Sequence, residues 1–369
     1  MTFDADEAFA RLLHHRDGSL RPGDPVAPPI VPASLYFLPG EPTASHQYGR
    51  FTNPTWAVIE GALAFLEDAE TVAFPSGMAA IASVFLSQLR PGDRLLLPSD
   101  GYYTTRLLAE TYLAPIGVVV ELCATVDYDT RDLSGYRIVH VETPSNPGLD
   151  ICDLRRVAGK ARTAGALVVA DNTTMTPLGQ RPLDLGADVV VASDTKALNG
   201  HSDVLFGHVA TRDPVLAASV RDWRKLVGSI PGQFEAWLVH RGLESLEVRF
   251  DRMCTSAGVI AERLAGHRGV RAVQYPGLPD HPGHAVARAQ MTRFGSLIGV
   301  TLADAAAADR FIDEARFVLP ATSFGGLLTS ADRRARWGDR VAEGYVRLSI
   351  GCEPTEPLWN DMARTLEAF

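Results

Sequence analysis

The chain has 369 residues, of which 46% are hydrophobic and 21% charged. These values are ordinary for a folded enzyme with two or three domains and exclude extensive disorder. The formal net charge is -9 and basic residues do not cluster, which argues against nucleic acid or an anionic membrane as the main partner. We therefore expect a small-molecule ligand.

The amino terminus is acidic and interrupted by charges, so it lacks the basic start and apolar core of a signal peptide. No apolar run is long enough to span a bilayer, and the four cysteines have neither metal-ligand nor redox spacing. These features predict a cytoplasmic protein with reduced thiols. Residues 20–45 are rich in proline, and we predict that residues 1–45 form an extended N-terminal arm.

Short apolar runs alternate with helical patterns between about residues 71 and 210. The runs are TVAF, RLLLP, GVVVELC, RIVHVE, ALVVAD, DVVVAS and VLFGHVA. Strands that are apolar on both faces and separated by amphipathic helices are typical of a mostly parallel sheet covered on both sides. The sequence therefore predicts an α/β domain with a seven-stranded sheet over residues 46–245.

Residues 232–266 carry one long helical pattern that leads into the last third of the chain. Three strand candidates follow it, VRAVQYP, SLIGVTL and VRLSIG, with helices between them. Residues 246–369 are therefore predicted to form a smaller α+β domain.

Ligands of parallel α/β sheets bind at the carboxyl ends of the strands, and several polar residues fall there. Gly77 and Met78 open a helix directly after TVAF, where backbone N–H groups could bind a phosphate, although an ordinary turn is the alternative. Asp171 ends VVAD and could pair with a cationic ring nitrogen, or could simply cap a turn. Asn146 follows another strand and could bind a ligand hydroxyl or shape the turn before Pro147.

Lys196 follows the strand DVVVAS and lies among hydroxyl groups. The chain contains only three lysines, Lys160, Lys196 and Lys225, against thirty-two arginines. A guanidinium group cannot lose its proton near neutral pH, so a lysine that remains at such a position is a candidate nucleophile. Lys160 and Lys225 lie among arginines and suit exposed helix faces better.

A phosphate site, an aspartate for a ring nitrogen, an asparagine for a ring hydroxyl and an amine for an aldehyde together indicate pyridoxal phosphate. Arg347 could add a bidentate contact to a substrate carboxylate, with a structural ion pair as the alternative. His281 and His284 have no obvious third ligand, so we expect no metal site. Neither a dinucleotide-binding nor a P-loop motif occurs.

The chain resembles the pyridoxal-phosphate enzymes of cysteine and methionine metabolism, namely cystathionine γ-lyase, methionine γ-lyase and cystathionine γ-synthase. The matching stretches, in order, are VAPPIVPASLYF, YGRFTNPT, FPSGMAAI, VETPSNPG, ADNTTMTPLGQRPLDLGADVVVASDTKALNGHSDVLFGH, GQFEAWLVHRGLESLEVRF, YPGLPDHPGH and VRLSIGCEP. The resemblance implies the aspartate-aminotransferase-like fold, fold type I. It also implies a homotetramer, a dimer of dimers, whose active sites are each shared between two chains.

Carried over by position, the resemblance assigns a role to each matching residue. Lys196 would bind the cofactor covalently, Asp171 would pair with the pyridine nitrogen and Asn146 with the ring hydroxyl. Ser323 and Arg347 would bind the substrate carboxylate. The phosphate would be held by Gly77, Met78, Ser193 and Thr195, together with Tyr48 and Arg50 of a neighbouring subunit, where Tyr48 would also touch the substrate.

Two adjacent tyrosines are candidates for the ring that stacks on the cofactor. The family pattern is one residue longer than SDGYYTTRLL, which favours Tyr102 and leaves Tyr103 open. Other departures affect the substrate pocket. Thr322 stands where cystathionine-acting relatives often carry an acid, and Ala197 and Thr174 replace aromatic residues of the family pattern.

We therefore expect γ-elimination on a sulfur amino acid, methionine or cystathionine, with Lys196 as base and Tyr102 as acid. The alternative is a γ-replacement transferase of the cystathionine γ-synthase type that uses an O-acyl homoserine. A third hypothesis, a protein that binds the cofactor without catalysis, does not explain why Arg347 accompanies the cofactor residues.

Overall fold

The computed structural model describes residues 5–367. Seven strands of four or five residues form the larger sheet: β1 (Glu70–Phe74), β2 (Arg94–Pro98), β3 (Val119–Cys123), β4 (Ile138–Glu142), β5 (Leu167–Asp171), β6 (Val189–Ala192) and β7 (Gly207–Thr211). Their order is β1-β7-β6-β5-β4-β2-β3, and only β7 runs antiparallel to its neighbours. The predicted mostly parallel seven-stranded sheet is confirmed.

Twelve α-helices lie within the described residues. They are α1 (Ala5–Leu13), α2 (Pro54–Glu67), α3 (Gly77–Gln88), α4 (Tyr103–Leu108), α5 (Leu154–Ala164), α6 (Thr176–Gly179), α7 (Pro214–Val227), α8 (Gln233–Leu243), α9 (Leu246–Ala265), α10 (His284–Gln290), α11 (Ala305–Glu314) and α12 (Thr355–Leu366). None of these helices is long and apolar enough to cross a bilayer.

Both faces of the large sheet are covered by helices. Val169 of β5 packs in a cluster with residues of α3 and α7, whereas its neighbours Val168 and Ala170 pack in another cluster with residues of α5. Successive side chains of a strand point to opposite faces, so burial on both faces produces the continuous apolar runs seen in the sequence.

The smaller sheet has five strands: β8 (Ala272–Gln274), β9 (Leu297–Thr301), β10 (Leu319–Pro320), β11 (Ser330–Arg333) and β12 (Tyr345–Ser349). Their order is β10-β11-β12-β9-β8, and every pair except β10 with β11 is antiparallel. Residues of α9, α11 and α12 complete its core. This is the α+β arrangement expected for the last third of the chain.

The N-terminal segment departs from the expected extended arm, because residues Ala5–Leu13 form α1. Two acidic residues open this helix, Glu7 pairs with Arg11 at 2.5 Å, and Leu12 is buried against α2 and α8. Residues 20–45 lack regular structure apart from a single bridge at Leu35. The three segment boundaries, 1–45, 46–245 and 246–369, stay a prediction.

The long helical pattern at 232–266 is two helices rather than one. The helix is interrupted between α8 and α9, where Ser245 has non-helical dihedral angles. Arg249 stabilises the break, because its guanidinium group donates to the Ser245 hydroxyl at 3.0 Å and to the Gly242 carbonyl at 2.7 Å. The hydrophobic periodicity continues across the junction of α8 and α9, so the sequence pattern did not predict that the helix would be interrupted there.

Candidate active site

A cavity of about 410 Å³ opens at the carboxyl ends of the central parallel strands. This volume is typical of small-molecule sites. Residues from the second sheet and its loops close the same cavity. Ten of the predicted site residues line it: Gly77, Met78, Tyr102, Asn146, Asp171, Ser193, Thr195, Lys196, Ser323 and Arg347.

The start of α3 lies against the turn that follows β6. Ser76 caps the helix by accepting the Ala79 amide at 3.1 Å, and Gly77 and Met78 are its first two residues. Amides in the first turn have no acceptor within their own helix and are therefore free to bind an anion. A Cβ atom on Gly77 would lie 2.7 Å from Cβ of Ser193, so only glycine permits this close approach.

Ser193 and Thr195 belong to the turn that faces this helix start. The Ser193 amide donates to the Thr173 hydroxyl at 2.9 Å. The Thr195 hydroxyl bonds to the amide and carbonyl of Phe206, at 2.9 and 3.2 Å, and so ties the turn to the segment before β7. Thr195 would have to exchange its bond to the Phe206 carbonyl before its hydroxyl could donate to a phosphate.

Asp171 is the last residue of β5 and is buried. Its Oδ1 atom accepts the hydroxyl and amide of Thr173 at 2.5 and 3.0 Å, and the residue lines the cavity. Burial raises the pKa of Asp171, and the Thr173 bonds oppose that effect. A cationic N–H donor in the cavity would stabilise the ionised carboxylate further.

Glu142 ends β4 beside Asp171 and connects two predicted site residues. Its carboxylate accepts the Tyr102 amide at 2.7 Å and the Asn146 amide at 2.9 Å. Burial, then the nearby charge of Asp171, raises the pKa of Glu142, while the two backbone amides lower it. Glu142 thereby fixes the backbone on which Tyr102 and Asn146 are carried.

Lys196 is half-buried in the cavity. Its Nζ atom donates to the Ser323 hydroxyl at 2.8 Å and lies 5.0 Å from the centre of the Phe324 ring. Burial and the charge of Arg347 lower the pKa of Lys196 to about 8. About a tenth of this amine is therefore unprotonated at pH 7, far more than for an ordinary lysine, and is able to act as a nucleophile or base.

Arg347, on β12, reaches from the small sheet into the cavity. Its guanidinium group donates to the Asn146 side-chain oxygen at 2.5 Å and to the Thr322 carbonyl. Burial, followed by the charge of Arg334, lowers the pKa of Arg347 to about 10. Its Nε atom is buried with no partner within residues 5–367, which leaves a donor for a ligand carboxylate.

The loop that carries Ser323 packs tightly on the turn after Lys196. Gly325 has φ +78°, and a Cβ atom there would lie 2.5 Å from the Ala197 amide nitrogen. Glycine is therefore needed for both its dihedral angle and its contact. This contact brings Ser323 beside the Lys196 amine.

Two predicted site residues do not line the cavity of their own chain. The Arg50 guanidinium donates to the Lys225 carbonyl and lies 5.4 Å from the centre of the Tyr48 ring, and Tyr48 is 38% exposed. The expectation that Tyr48 and Arg50 reach a neighbouring subunit's phosphate stays a prediction. Tyr102 and Tyr103 both line the cavity, so the choice of stacking ring also stays open.

Two features of the structure were not predicted from the sequence. The first is buried His208 on β7, which does not line the cavity and contacts Asp194, two residues before Lys196, at 2.7 Å and Glu67 at 3.3 Å. The second feature is an outer wall that includes Arg334 and Trp337. A polar residue inside an apolar strand, as in VLFGHVA, was the available signal for His208, whereas no local pattern marked Trp337.

His281 and His284 bind backbone atoms. The Nδ1 atom of His281 accepts the Gly283 amide at 3.1 Å, and Nδ1 of His284 lies 2.8 Å from the Pro276 carbonyl oxygen. Both rings therefore shape the loop that precedes α10.

Pyridoxal phosphate fits the donor set of this cavity. The start of α3 offers amides for the phosphate, Asp171 offers an acceptor for a ring N–H, and Lys196 offers an amine with a lowered pKa. Two residues that line the cavity, Thr174 and Arg347, also carry buried polar atoms, the Thr174 hydroxyl and Arg347 Nε, that have no partner within the described residues. A polar ligand would satisfy such atoms.

The family model of Cys/Met metabolism PLP-dependent enzymes matches residues 12–367, and the chain belongs to this family. A Streptomyces coelicolor relative, described as "Putative cystathionine gamma-lyase", is 49% identical over 93% of this chain and 89% of its own. The L-methionine gamma-lyase of Pseudomonas deceptionensis is 36% identical over 97% of both chains.

Among solved structures, cystathionine gamma synthase from Xanthomonas oryzae in complex with cystathionine superimposes with a TM-score of 0.93. It is 35% identical, and the match covers 98% of this chain and 97% of that one. The chain is therefore an enzyme of fold type I that depends on pyridoxal phosphate, and its relatives act as carbon–sulfur lyases and synthases.

Proposed function

We propose that this enzyme catalyses γ-elimination on a sulfur amino acid, methionine or cystathionine, and releases a 2-oxo acid, ammonia and a thiol. The observation that carries the proposal is the contact of the Lys196 amine with the Ser323 hydroxyl beside Arg347. A base with a lowered pKa thus lies next to the groups suited to a substrate carboxylate. Relatives named as cystathionine and methionine gamma-lyases support the reaction type.

The cofactor would be held by residues on three sides of the cavity. Asp171 would pair with the ring nitrogen, Asn146 with the ring hydroxyl and Lys196 with the aldehyde carbon. The phosphate would be bound by Gly77, Met78, Ser193 and Thr195, with Tyr48 and Arg50 from a neighbouring chain. Pyridoxal phosphate supplies an electron sink that makes the substrate's Cα and Cβ protons acidic.

The protein's own groups would bind the substrate and move its protons. Arg347 and Ser323 would hold the carboxylate and so orient the Cα–H bond toward Lys196. Lys196 would remove the Cα proton and then a Cβ proton, and Tyr102 would protonate the departing sulfur. Water would then release ammonia and the 2-oxo acid.

A cavity shared with a neighbouring chain, as proposed for Tyr48 and Arg50, would require at least a dimer. We propose a homotetramer built as a dimer of dimers, the assembly that the family resemblance implies, and its support in this chain is that Tyr48 and Arg50 do not line their own cavity and that Tyr48 is partly exposed. The proposed location is the cytoplasm, which suits four cysteines that are all free.

The alternative is γ-replacement, in which an incoming thiol adds where the first substituent left. The likeness to the cystathionine gamma synthase of Xanthomonas oryzae favours this second candidate. Both reactions require the same carboxylate-binding groups and the same base, so the fate of the substrate distinguishes them better than the site does.

The test is to incubate the cofactor-loaded enzyme with L-methionine, L-cystathionine and L-homocysteine and to measure 2-oxobutanoate. The proposal predicts 2-oxobutanoate from at least one of them. A parallel reaction with an O-acyl homoserine and cysteine tests replacement. Cystathionine formation without 2-oxobutanoate would select the transferase, and pyruvate with homocysteine from cystathionine would instead indicate β-elimination.

A further inference from the structure

The outer wall of the cavity is formed by residues 332–339, which we call the 332–339 segment. This segment runs from the end of β11 through a single 3-10 turn at Arg334–Trp337. Two of its side chains, Arg334 and Trp337, line the cavity together with Leu205, Thr322 and Phe324. None of these side chains is needed for the cofactor or the substrate carboxylate in the proposed reaction.

Asp332 fixes the position of Trp337. This aspartate is fully buried and lies directly across from Arg347 in the register of β11 and β12. Its Oδ1 atom accepts the Trp337 indole N–H at 3.0 Å and the Arg336 guanidinium at 2.8 Å. Because the polar edge of the indole is bound to Asp332, the ring presents carbon atoms to the cavity.

The three arginines of the 332–339 segment are all paired with carboxylates. Arg334 is buried and donates to Asp332 at 2.8 Å and to Asp339 at 2.8 and 2.6 Å, so its cation is already paired. Arg336 shares Asp332, and Arg333 pairs outside the segment with Asp309 at 2.8 Å and Glu343 at 3.4 Å, so each arginine of the segment has a carboxylate partner. The outer wall therefore offers a ligand little net charge.

The acidic residues that line the cavity are Asp171 and Glu142, and both lie at its inner end, on the carboxyl ends of β4 and β5. Thr322, next to the carboxylate-binding Ser323, is a neutral hydroxyl. A second ammonium group on a substrate would therefore enter the outer cavity without an anionic partner among the described residues. Desolvation of an unpaired cation is costly.

We propose that Trp337, together with Phe324 and Leu205, binds the substituent on the substrate sulfur and selects an apolar alkyl or aryl thioether over one with a charged distal end. This inference rests on the proposed γ-elimination and specifies its substrate class. Trp337 is the specificity residue, since it is the largest apolar side chain of the outer wall and its orientation is fixed by Asp332.

The experiment compares substrates that share one amino-acid head and differ only beyond sulfur. With the cofactor-loaded enzyme, kcat/KM for 2-oxobutanoate release is measured for L-homocysteine, L-ethionine, S-benzyl-L-homocysteine and L-cystathionine. The readout is the ratio of each value to that of homocysteine, which has no substituent. Trp337→Ala, Trp337→Phe and the control Trp359→Ala, a tryptophan outside the cavity, are measured alongside.

We expect the wild-type ratios for ethionine and S-benzyl-homocysteine to exceed the ratio for cystathionine. Trp337→Ala should lower the two apolar ratios by about tenfold or more, the scale of a lost apolar contact in a specificity pocket. Trp337→Phe should retain most of the preference, because it keeps an aromatic ring, and Trp359→Ala should leave the ratios unchanged.

The measurements distinguish failure of the Trp337 assignment from failure of γ-elimination. A wild-type ratio that is highest for cystathionine, or apolar ratios that do not change in Trp337→Ala, would overturn the assignment of Trp337 while 2-oxobutanoate release upholds the lyase. The absence of 2-oxobutanoate from all four substrates would overturn γ-elimination and this inference together. Thermal melting of Trp337→Ala checks that its fold is intact, and Trp337→Phe gives a second reading of the same contact.

Discussion

Glu142 and Asp171 lie opposite each other in the register of β4 and β5, so two buried carboxyl groups meet at the inner end of the cavity. Neighbouring carboxyl groups do not readily ionise together. The charge of Asp171 therefore raises the pKa of Glu142, in addition to the effect of burial. This arrangement leaves Asp171 the better group for a cationic ring and Glu142 as an acceptor for backbone amides.

Glu142→Gln should weaken the anchor of Tyr102. An amide side chain has one acceptor oxygen, so one of the two amides that Glu142 binds would lose its partner, at a cost of about 1–3 kcal/mol in unfolding free energy. Displacement of Tyr102 should also lower kcat/KM, by up to about 100-fold if the ring moves by about 1 Å. Urea unfolding and 2-oxobutanoate release measure the two effects.

Glu353→Gln is the matched control for Glu142→Gln. Glu353 also accepts two bonds, from the amide and hydroxyl of Thr329 at 2.7 and 2.8 Å, but it lies outside the cavity. The Glu353→Gln variant should be less stable than wild type, with little change in kcat/KM. Equal losses of activity in the two variants would mean that Glu142 has no particular role in positioning Tyr102.

The lowered pKa of Lys196 predicts how cofactor attachment depends on pH. Only the unprotonated amine can attack an aldehyde, so the attachment rate of cofactor-free enzyme should rise with pH and level off above about 8. Removing the charge in Arg347→Met should move the plateau to higher pH, because that charge contributes to the lowered value. The rate is followed by visible absorption after pyridoxal phosphate is added.

A wild-type rate that continues to rise through pH 10 would contradict this prediction, since an ordinary lysine has a pKa near 10.5. A plateau that does not move in Arg347→Met would leave burial as the cause and exclude the contribution of Arg347.

The ion pairs of His208 should make the free energy of unfolding depend on pH between 6.5 and 10. Burial alone would lower the pKa of His208, but Asp194 and Glu67 raise it to about 10. A raised folded-state pKa gives stability that is fully present below the unfolded value of 6.5 and is lost as pH rises toward 10. His208→Gln should cost about 3–5 kcal/mol near pH 6.5, because it leaves Asp194 buried without its cation.

The quantity to measure is the difference in unfolding free energy between wild type and His208→Gln, which should shrink between pH 6.5 and 10. Lys196 has a lowered pKa and contributes the opposite slope above about pH 8, and the difference removes its effect. His140→Gln is the control, because burial lowers the pKa of His140 to about 3 and leaves it neutral throughout this interval. A constant difference between wild type and His208→Gln would contradict the ion pair.

The sequence predicted the large sheet well, because strands buried on both faces appear as continuous apolar runs. It did not predict β10 or β11, since a two-residue strand and the polar stretch Ser330–Arg333 are strands only through pairing with β12. The residues at strand ends converge because the carboxyl ends of parallel strands meet at one edge. The sequence alone was therefore enough to group Lys196, Asp171 and Asn146.

Trp337 and Glu142 show what the sequence could not indicate. Trp337 lines the cavity because Asp332, five residues earlier, binds its indole N–H, and no periodic pattern encodes such a contact. Glu142 was visible at the end of its strand, but its two backbone partners, Tyr102 and Asn146, become evident only in the folded chain. Tyr48 and Arg50 matched a family pattern that implies a neighbouring subunit, and neither residue lines the cavity of its own chain.

The most direct test of the account is the Lys196→Ala variant, because the proposed cofactor attachment and proton transfers all depend on this amine. The cofactor-loaded variant should lack the visible absorption band of wild type and should release no 2-oxobutanoate from any sulfur amino acid that wild type consumes. The control is Lys160→Ala, since the Lys160 amine donates to the carbonyls of Tyr128 and Asp129 at 3.3 and 3.1 Å, outside the cavity.

Lys160→Ala should retain both the absorption band and 2-oxobutanoate release, with a lower melting temperature. Loss of both signals in Lys196→Ala alone is the predicted result. Substantial 2-oxobutanoate release by Lys196→Ala, with its fold intact by circular dichroism, would contradict the role of Lys196 as the base and with it the proposed reaction.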